Sequence, residues 1–205
     1  MKAKLTQYGE RSVLIEDFEG YPFDWMGPIQ EAFPEAMLRA GLESLMITFP
    51  SHGDHLAQLE LALPNLLSSS ETHSTKLIEI PTVYDGEDLE LVASTLGISV
   101  PEVIRAHSEV LWVVKLIGFA PGFPYLVPVS GSTILDSIGR LETPRQKVPY
   151  GSVGIAAGMS CIYPQEMPGG WHLIGKTDVQ LFDESKATPA LLNLGDQVRF
   201  VEVSR

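Results

Sequence analysis

Cysteine occurs once in the 205 residues, at Cys161, which excludes an intrachain disulfide framework. Basic residues are scarce: 14 Lys and Arg stand against 26 Asp and Glu, for a formal net charge of −12. No basic patch interrupts that excess, which argues against nucleic acid and anionic lipid as partners. Long apolar runs are missing too. The longest candidate, residues 110–123, is broken by Lys115 and Pro121 and is too short to span a bilayer. It reads as a buried strand running into a loop, and no membrane association is expected. The opening MKAKLTQ lacks the apolar stretch of a secretory signal, which together with the lone cysteine points to a reducing cytoplasm. No internal repeat or low-complexity tract is present. The length suffices for a substantial core, as one domain or two small ones.

What the chain has in abundance is glycine, proline and aromatic side chains between residues 143 and 177, TPRQKVPYGSVGIAAGMSCIYPQEMPGGWHLIGKT. Glycines at 151, 154, 158, 169, 170 and 175 alternate with short β-branched or aromatic runs, the pattern of tight turns between short strands. Arg145, Tyr163, Glu166, Trp171, His172 and Lys176 are presented between them. The same stretch matches a phosphate-binding pattern, G-x-x-x-x-G-K-[ST], from Gly170 to Thr177. That pattern acts only where a strand precedes the loop and a helix follows it. Here the intervening residues are bulky, and residues 178–182 alternate like a strand. The favoured alternative has Trp171 and Leu173 filling a barrel core, with Gly175 at a bend.

The first 79 residues read as a small α+β domain. Strands are expected at 11–16, 45–49 and 76–80. An irregular or broken helix is expected from about Asp24 to Met37, interrupted by Gly27, Pro28 and Pro34. A second helix is expected over 52–63, capped by Asp54 and stopped near Pro64. Residues 68–72 are polar and turn-like. Beyond residue 80, Leu89, Val92, Ala93 and Leu96 form a helical stripe ending at Gly97. Ser99 and Glu102 form a capping box for a helix to about His107. From Leu111 to residue 203 nearly everything reads as strand and turn, a composition that suggests a closed barrel over residues 80–205.

Several segments, taken in order, resemble one family: IPTVYDGEDL at 80–89, His107, GFAPGFPYL at 118–126, TPR at 143–145, VPYGSVGI at 148–155, Tyr163-Pro164, PGGW at 168–171 and LFD at 181–183. It is the carboxyltransferase-domain family whose members include the B-type subunit of 5-oxoprolinase, allophanate hydrolase subunit 1 and the sporulation-kinase inhibitor. Residues 127–132 and Met159 depart from its usual pattern. The resemblance implies a cyclophilin-like barrel behind the small α+β domain. It also implies action with a homologous C-type subunit and an A-type subunit in the ATP-dependent opening of 5-oxoproline to glutamate, ATP being used by the complex. Related domains in urea-processing enzymes transfer a carboxyl group to an amide nitrogen. The sporulation-kinase name implies a different role, a protein that binds and inhibits a sensor histidine kinase. A prolyl isomerase would follow from barrel analogy alone, and fold does not fix function.

Both amide chemistries develop negative charge on an oxygen, which suits arginine and backbone N–H donors in a partly dry site. Arg145, stiffened by Pro144, has two roles open to it: clamping a carboxylate or forming a structural ion pair. His107, at a helix end, could serve acid–base work, capping or core packing. Glu166 completes the catalytic candidates, because it flanks the 168–170 turn and loops on rigid barrels commonly carry sites. Tyr163, Trp171, Phe123 and Tyr125 are the candidates for lining a substrate groove, with core packing as their alternative. Lys176 reads as a surface lysine. His52, His55 and Asp54 do not make a convincing metal set, and Cys161 has no visible base and lies in an expected strand.

Overall fold

A computed structural model describes residues 3–17, 20–66 and 75–204. The chain divides into two compact units, Met1–Ser74 and Thr75–Arg205. The turn expected at 68–72 lies outside the described residues.

The first unit contains a four-stranded antiparallel sheet. Strands β1 (Lys4–Tyr8) and β2 (Ser12–Glu16) form a hairpin. A 3₁₀ turn at Pro22–Trp25 runs into helix α1 (Met26–Ala32), followed by β3 (Met37–Ala40), β4 (Leu45–Thr48) and helix α2 (His55–Leu66). The sheet order is β1-β2-β4-β3. Alternation sends Val13, Ile15, Leu45 and Ile47 to one face, where they are fully buried with Ile29 and Leu59. The expected helix to Met37 is corrected: α1 stops at Ala32. Pro34 disfavours helical geometry at Phe33, which adopts φ −130°, ψ 71°, and Met37 belongs to a strand. Helix α2 starts later than expected, with Asp54 accepting from the Ala57 N–H at 3.3 Å. It also continues past Pro64 to Leu66, whose side chain packs on the core.

The second unit begins with β5 (Leu77–Thr82), followed by helices α3 (Leu89–Leu96) and α4 (Val100–Ser108). Strands β6 (Trp112–Ile117) and β7 (Pro124–Pro128) come next, then a 3₁₀ turn at Ile134–Ser137. The rest is β: β8 (Arg145–Val148), β9 (Ser152–Ala156), β10 (Met159–Ile162), β11 (Met167–Gly169), β12 (His172–Lys176) and β13 (Gln197–Glu202). Gly97 stops α3 at φ +69°, as its position predicts. The Glu102 carboxylate accepts from both the N–H (2.8 Å) and the hydroxyl (2.6 Å) of Ser99.

Seven strands form one sheet in the order β12-β9-β10-β7-β6-β13-β5. Its two ends meet at a single antiparallel bridge, Val83 with Lys176, so the sheet curls into a nearly closed barrel. Trp112, Val114, Leu126, Val153, Ile162, Ile174, Val198 and Phe200 fill the interior and are essentially inaccessible to water. One expectation is corrected here. The strand near 76–80 is not part of the N-terminal α+β unit but pairs in parallel with β13, from Gln197 opposite Leu77 to Glu202 opposite Thr82. Residues 178–182 also depart from expectation, since only Phe182 makes a bridge, to Ala190. No helix among the described residues is long and apolar enough to cross a membrane.

Candidate functional site

The glycine- and proline-rich segments converge outside the barrel interior on a second cluster: Phe123, Val148, Cys161, Tyr163, Trp171 and Leu173. The loop before β7 is a tight turn, held by Gly118 N–H to Phe123 O (3.1 Å) and Phe123 N–H to Ala120 O (3.0 Å). Gly122 sits at φ +76° with the Phe182 Cβ 2.8 Å from where its own Cβ would be, so only glycine fits there. Phe119 also adopts a left-handed conformation, φ +73°. This geometry is costly for an aromatic residue, and the ring it displays is 64% exposed.

Behind that ring the aromatic side chains pack edge to face. Phe123 lies 5.5 Å from Phe119, 5.3 Å from Tyr163 and 6.4 Å from Trp171, and Tyr125 lies 5.9 Å from Trp171. Gly169 lets Tyr163 approach: a Cβ there would run into the Tyr163 hydroxyl. Together with Arg140, Leu141 and Pro144 these residues line a half-open pocket of about 170 Å³. An apolar cavity of roughly 150 Å³ holds one benzene ring, so the space suits a single small ring. Tyr163, Trp171, Phe123 and Tyr125, expected to line a groove or pack in the core, all border this pocket, while Phe123, Tyr163 and Trp171 are at the same time buried in the packed cluster behind it.

The expected catalytic residues lie elsewhere. Arg145, at the start of β8, pairs with Glu87 through Nε (2.8 Å) and with Asp88 through Nη2 (2.7 Å), and its Nη1 donates to Trp171 O at 3.4 Å. Burial works against its charge, but the Asp88 and Glu87 carboxylates outweigh that and hold its pKa above the ordinary value. Asp88 is itself buried and stitched to β12, donating its N–H to Leu173 O and accepting from Leu173 N–H at 2.7 Å. Neighbouring Gly86 presses on the same strand, since a Cβ there would strike the backbone of Leu173 and Ile174. The structural ion pair expected as one role of Arg145 is formed.

His107 is fully enclosed in the barrel core, flanked by Trp112 and Phe200. Its Nδ1 meets the Tyr84 hydroxyl and its Nε2 the Ser160 hydroxyl, each at 2.8 Å. Ser160 donates onward to Gly154 O at 3.4 Å. That direction makes Nε2 the protonated nitrogen, with Nδ1 accepting from Tyr84. Burial lowers its pKa to about 3, so the ring is neutral and shut away from water. Glu166 is exposed and pairs with Lys147 at 3.0 Å, away from the pocket walls. Lys176 pairs with Asp85 at 3.0 Å. Its segment is strand β12 with no helix after it, so the phosphate-loop pattern is a sequence coincidence.

Arg140 is the functional candidate that sequence reasoning passed over. It is exposed at the pocket wall and, among the described residues, pairs with no carboxylate. The backbone beside it is fixed by Leu141 N–H donating to Gly170 O at 2.8 Å. Burial raises the Tyr125 hydroxyl and the Arg140 charge pulls it back. Burial also raises the Tyr163 hydroxyl and the Cys161 thiol. These groups are protonated near neutral pH, so the pocket offers aromatic faces, hydroxyl donors and one cation, but no activated nucleophile. Elsewhere the His172 Nδ1 is buried without a hydrogen-bond partner, and among the described residues no three His, Cys, Asp or Glu gather as for a metal.

The fold is that of a carboxyltransferase-type domain. The chain belongs to the family described as carboxyltransferase domain, subdomain C and D, which it matches over residues 30–192. It is 47% identical over 130 residues to the B-type subunit of 5-oxoprolinase from Escherichia coli O157:H7, covering 62% of this chain and 58% of that one. The corresponding 5-oxoprolinase subunit of Bacillus subtilis is 45% identical over 132 residues, 63% of this chain and 54% of that protein. The chain thus matches little more than half the length of these relatives. Urea amidolyase of Saccharomyces cerevisiae is 32% identical over 96% of this chain, which corresponds to 11% of that enzyme. Among solved structures, TTHA0988 superposes with a TM-score of 0.73 at 33% identity, covering 95% of this chain and 40% of that one. A conserved uncharacterized protein from Pyrococcus horikoshii gives 0.57 at 32% identity, covering 98% and 97%.

Proposed function

We propose that this chain is a non-autonomous subunit of an ATP-dependent 5-oxoprolinase, binding the lactam in the aromatic pocket while homologous C-type and A-type subunits complete the site. The observation that carries this is a ring-sized pocket with a cation that no carboxylate among the described residues neutralises, and with no activated nucleophile. Such a pocket can bind and orient a small amide but has nothing of its own to open it. The relatives that are B-type 5-oxoprolinase subunits support the substrate. Tyr163, Trp171, Phe123 and Tyr125 form the binding surface in this reading. Arg145 holds the β12 side of the pocket in place, and His107 organises the core behind it. The second unit is read as a cyclophilin-like barrel, which its nearly closed sheet supports.

ATP does not fit the one phosphate-like sequence in the chain, because Gly170 to Thr177 runs through a strand whose lysine is paired to Asp85. No step on this chain is assigned to ATP, which is used by the complex in this reading. The urea amidolyase match, which spans nearly the whole chain, favours a second reading in which the amide is urea-derived. The same domain matches nearly all of one solved chain and a minor part of others, as suits a module whose partners come either fused or separate.

The test is glutamate release from 5-oxoproline and ATP by the purified chain, alone and mixed with its A-type and C-type partners. Activity is expected only in the mixture. An associated mixture that leaves 5-oxoproline intact but processes urea or allophanate would replace the first reading by the second. A chain that joins neither partner but lowers the autophosphorylation of a sensor kinase would overturn both.

A further inference from the structure

The pocket wall is nearly all aromatic or apolar, yet it holds one guanidinium, in a chain carrying 26 acidic residues against 14 basic ones. Arg145, the other arginine nearby, spends its nitrogens on Glu87, Asp88 and Trp171 O. Lys147 and Lys176 are likewise paired. A cation without a carboxylate partner among the described residues, at the edge of a ring-sized aromatic cavity, is a ready complement for a small planar acid. A guanidinium takes a carboxylate through two parallel N–H bonds, and the adjoining rings thin the water that would weaken them. The hydrogen bond from Leu141 to Gly170 O fixes the backbone beside Arg140 against the turn that presents Trp171, so the stem that carries the cation is anchored at the pocket edge. A single cation is matched to a monoanion rather than a polyphosphate.

We propose that the pocket selects a small cyclic or planar amide bearing a carboxylate, and that Arg140 is the residue that recognises this carboxylate. The inference rests on the reading of the pocket as the substrate site. In it the lactam ring lies between Phe119 and Tyr125, over the largely buried Phe123 and Trp171, while its carboxylate meets Arg140. Arg140 then sets which amides enter and how they are oriented, and the reacting carbonyl is turned towards the groups the partner supplies.

The experiment has two arms. In the first, the full chain is titrated with 5-oxoproline and with 2-pyrrolidinone, the same ring without the carboxylate, by isothermal calorimetry and NMR. Wild type is expected to prefer 5-oxoproline, Arg140→Gln to lose that preference by tenfold or more, and Arg140→Lys to recover part of it. In the second, the reconstituted complex is assayed, and Arg140→Gln is expected to raise KM for 5-oxoproline at least tenfold while kcat stays within about threefold. Equal binding of 5-oxoproline by wild type and Arg140→Gln, or no binding to a chain whose complex still turns it over, would overturn the role of Arg140. Selective binding that depends on Arg140 in a complex unable to open the lactam would instead sink the oxoprolinase reading and leave the carboxylate site standing.

Discussion

Arg145 and Arg140 stand at opposite extremes of saturation. The corner around Arg145 leaves nothing unsaid: two carboxylates and a carbonyl receive its nitrogens, and Asp88 ties the assembly to β12 at Leu173. The core thread from Tyr84 through His107 to Ser160 is saturated in the same way. The aromatic pocket is the reverse, with a cation unpaired among the described residues and a strained, exposed Phe119 at its edge. Polar groups that have spent their bonding capacity inside the fold stabilise it. A polar group left with capacity beside a cavity is available to a ligand.

The contrast breaks most visibly at Asp88. Asp88→Ala should cost about 3 kcal/mol, because it removes the buried partner of Arg145 Nη2, leaving the guanidinium the Glu87 carboxylate on Nε, and strands the Leu173 N–H; urea denaturation would show it, and a loss under about 1 kcal/mol would make the corner ornamental. His107→Gln should cost about 2 kcal/mol at pH 7 through mismatched partners in the core. It carries a signature in pH as well. With the folded pKa near 3 and the ordinary value at 6.5, the unfolded chain binds the extra proton between those limits. Wild type therefore loses stability as pH falls through that window, by up to about 1.4 kcal/mol per pH unit. The variant lacks this component, so its deficit should shrink on acidification; a deficit constant from pH 7 to 4 would place His107 in contact with solvent. Gly169→Ala should cost about 1–3 kcal/mol by driving Tyr163 from its place, with a crystal structure showing a reshaped pocket. Arg140→Gln should alter stability by less than about 0.5 kcal/mol, as befits an exposed side chain with no carboxylate to lose among the described residues. A larger melting shift would move Arg140 to the structural side of the comparison.

How much of this was legible beforehand follows the range of the interactions. Local signals carried the Gly97 stop, the Ser99–Glu102 box and the dense run of short strands, since each is set by residues within a turn of one another. Phe123, Tyr125, Tyr163 and Trp171 stood out because glycines and prolines shape their loops, and those loops converge. Arg140 had no such signal: Ile138-Gly139-Arg140-Leu141 is an ordinary sequence, and only the three-dimensional neighbourhood shows the cation to lack a carboxylate among the described residues. Asp88 carried no signal of its own, and only the structure shows that its carboxylate, at the N-cap position of α3, turns to Arg145 and Leu173 instead of capping. Glu166 lay next to the right turn, but its side chain points to Lys147 and water. The membership of β5 in the barrel was hidden for the same reason, because its partner lies 120 residues further along, from Lys76 to Asp196 at the strand edge.

That parallel pairing sets a timetable for the protein's birth. Hairpins such as β9–β10 close over a few residues and can form as soon as they leave the ribosome, but β5 must wait for β13 before its edge is covered. Until β13 is made, the sheet is an open strip with unpaired backbone at its ends, the form most prone to pairing with a neighbouring chain. Proline at position 81, within that waiting strand, removes one of the donors a stray strand would use.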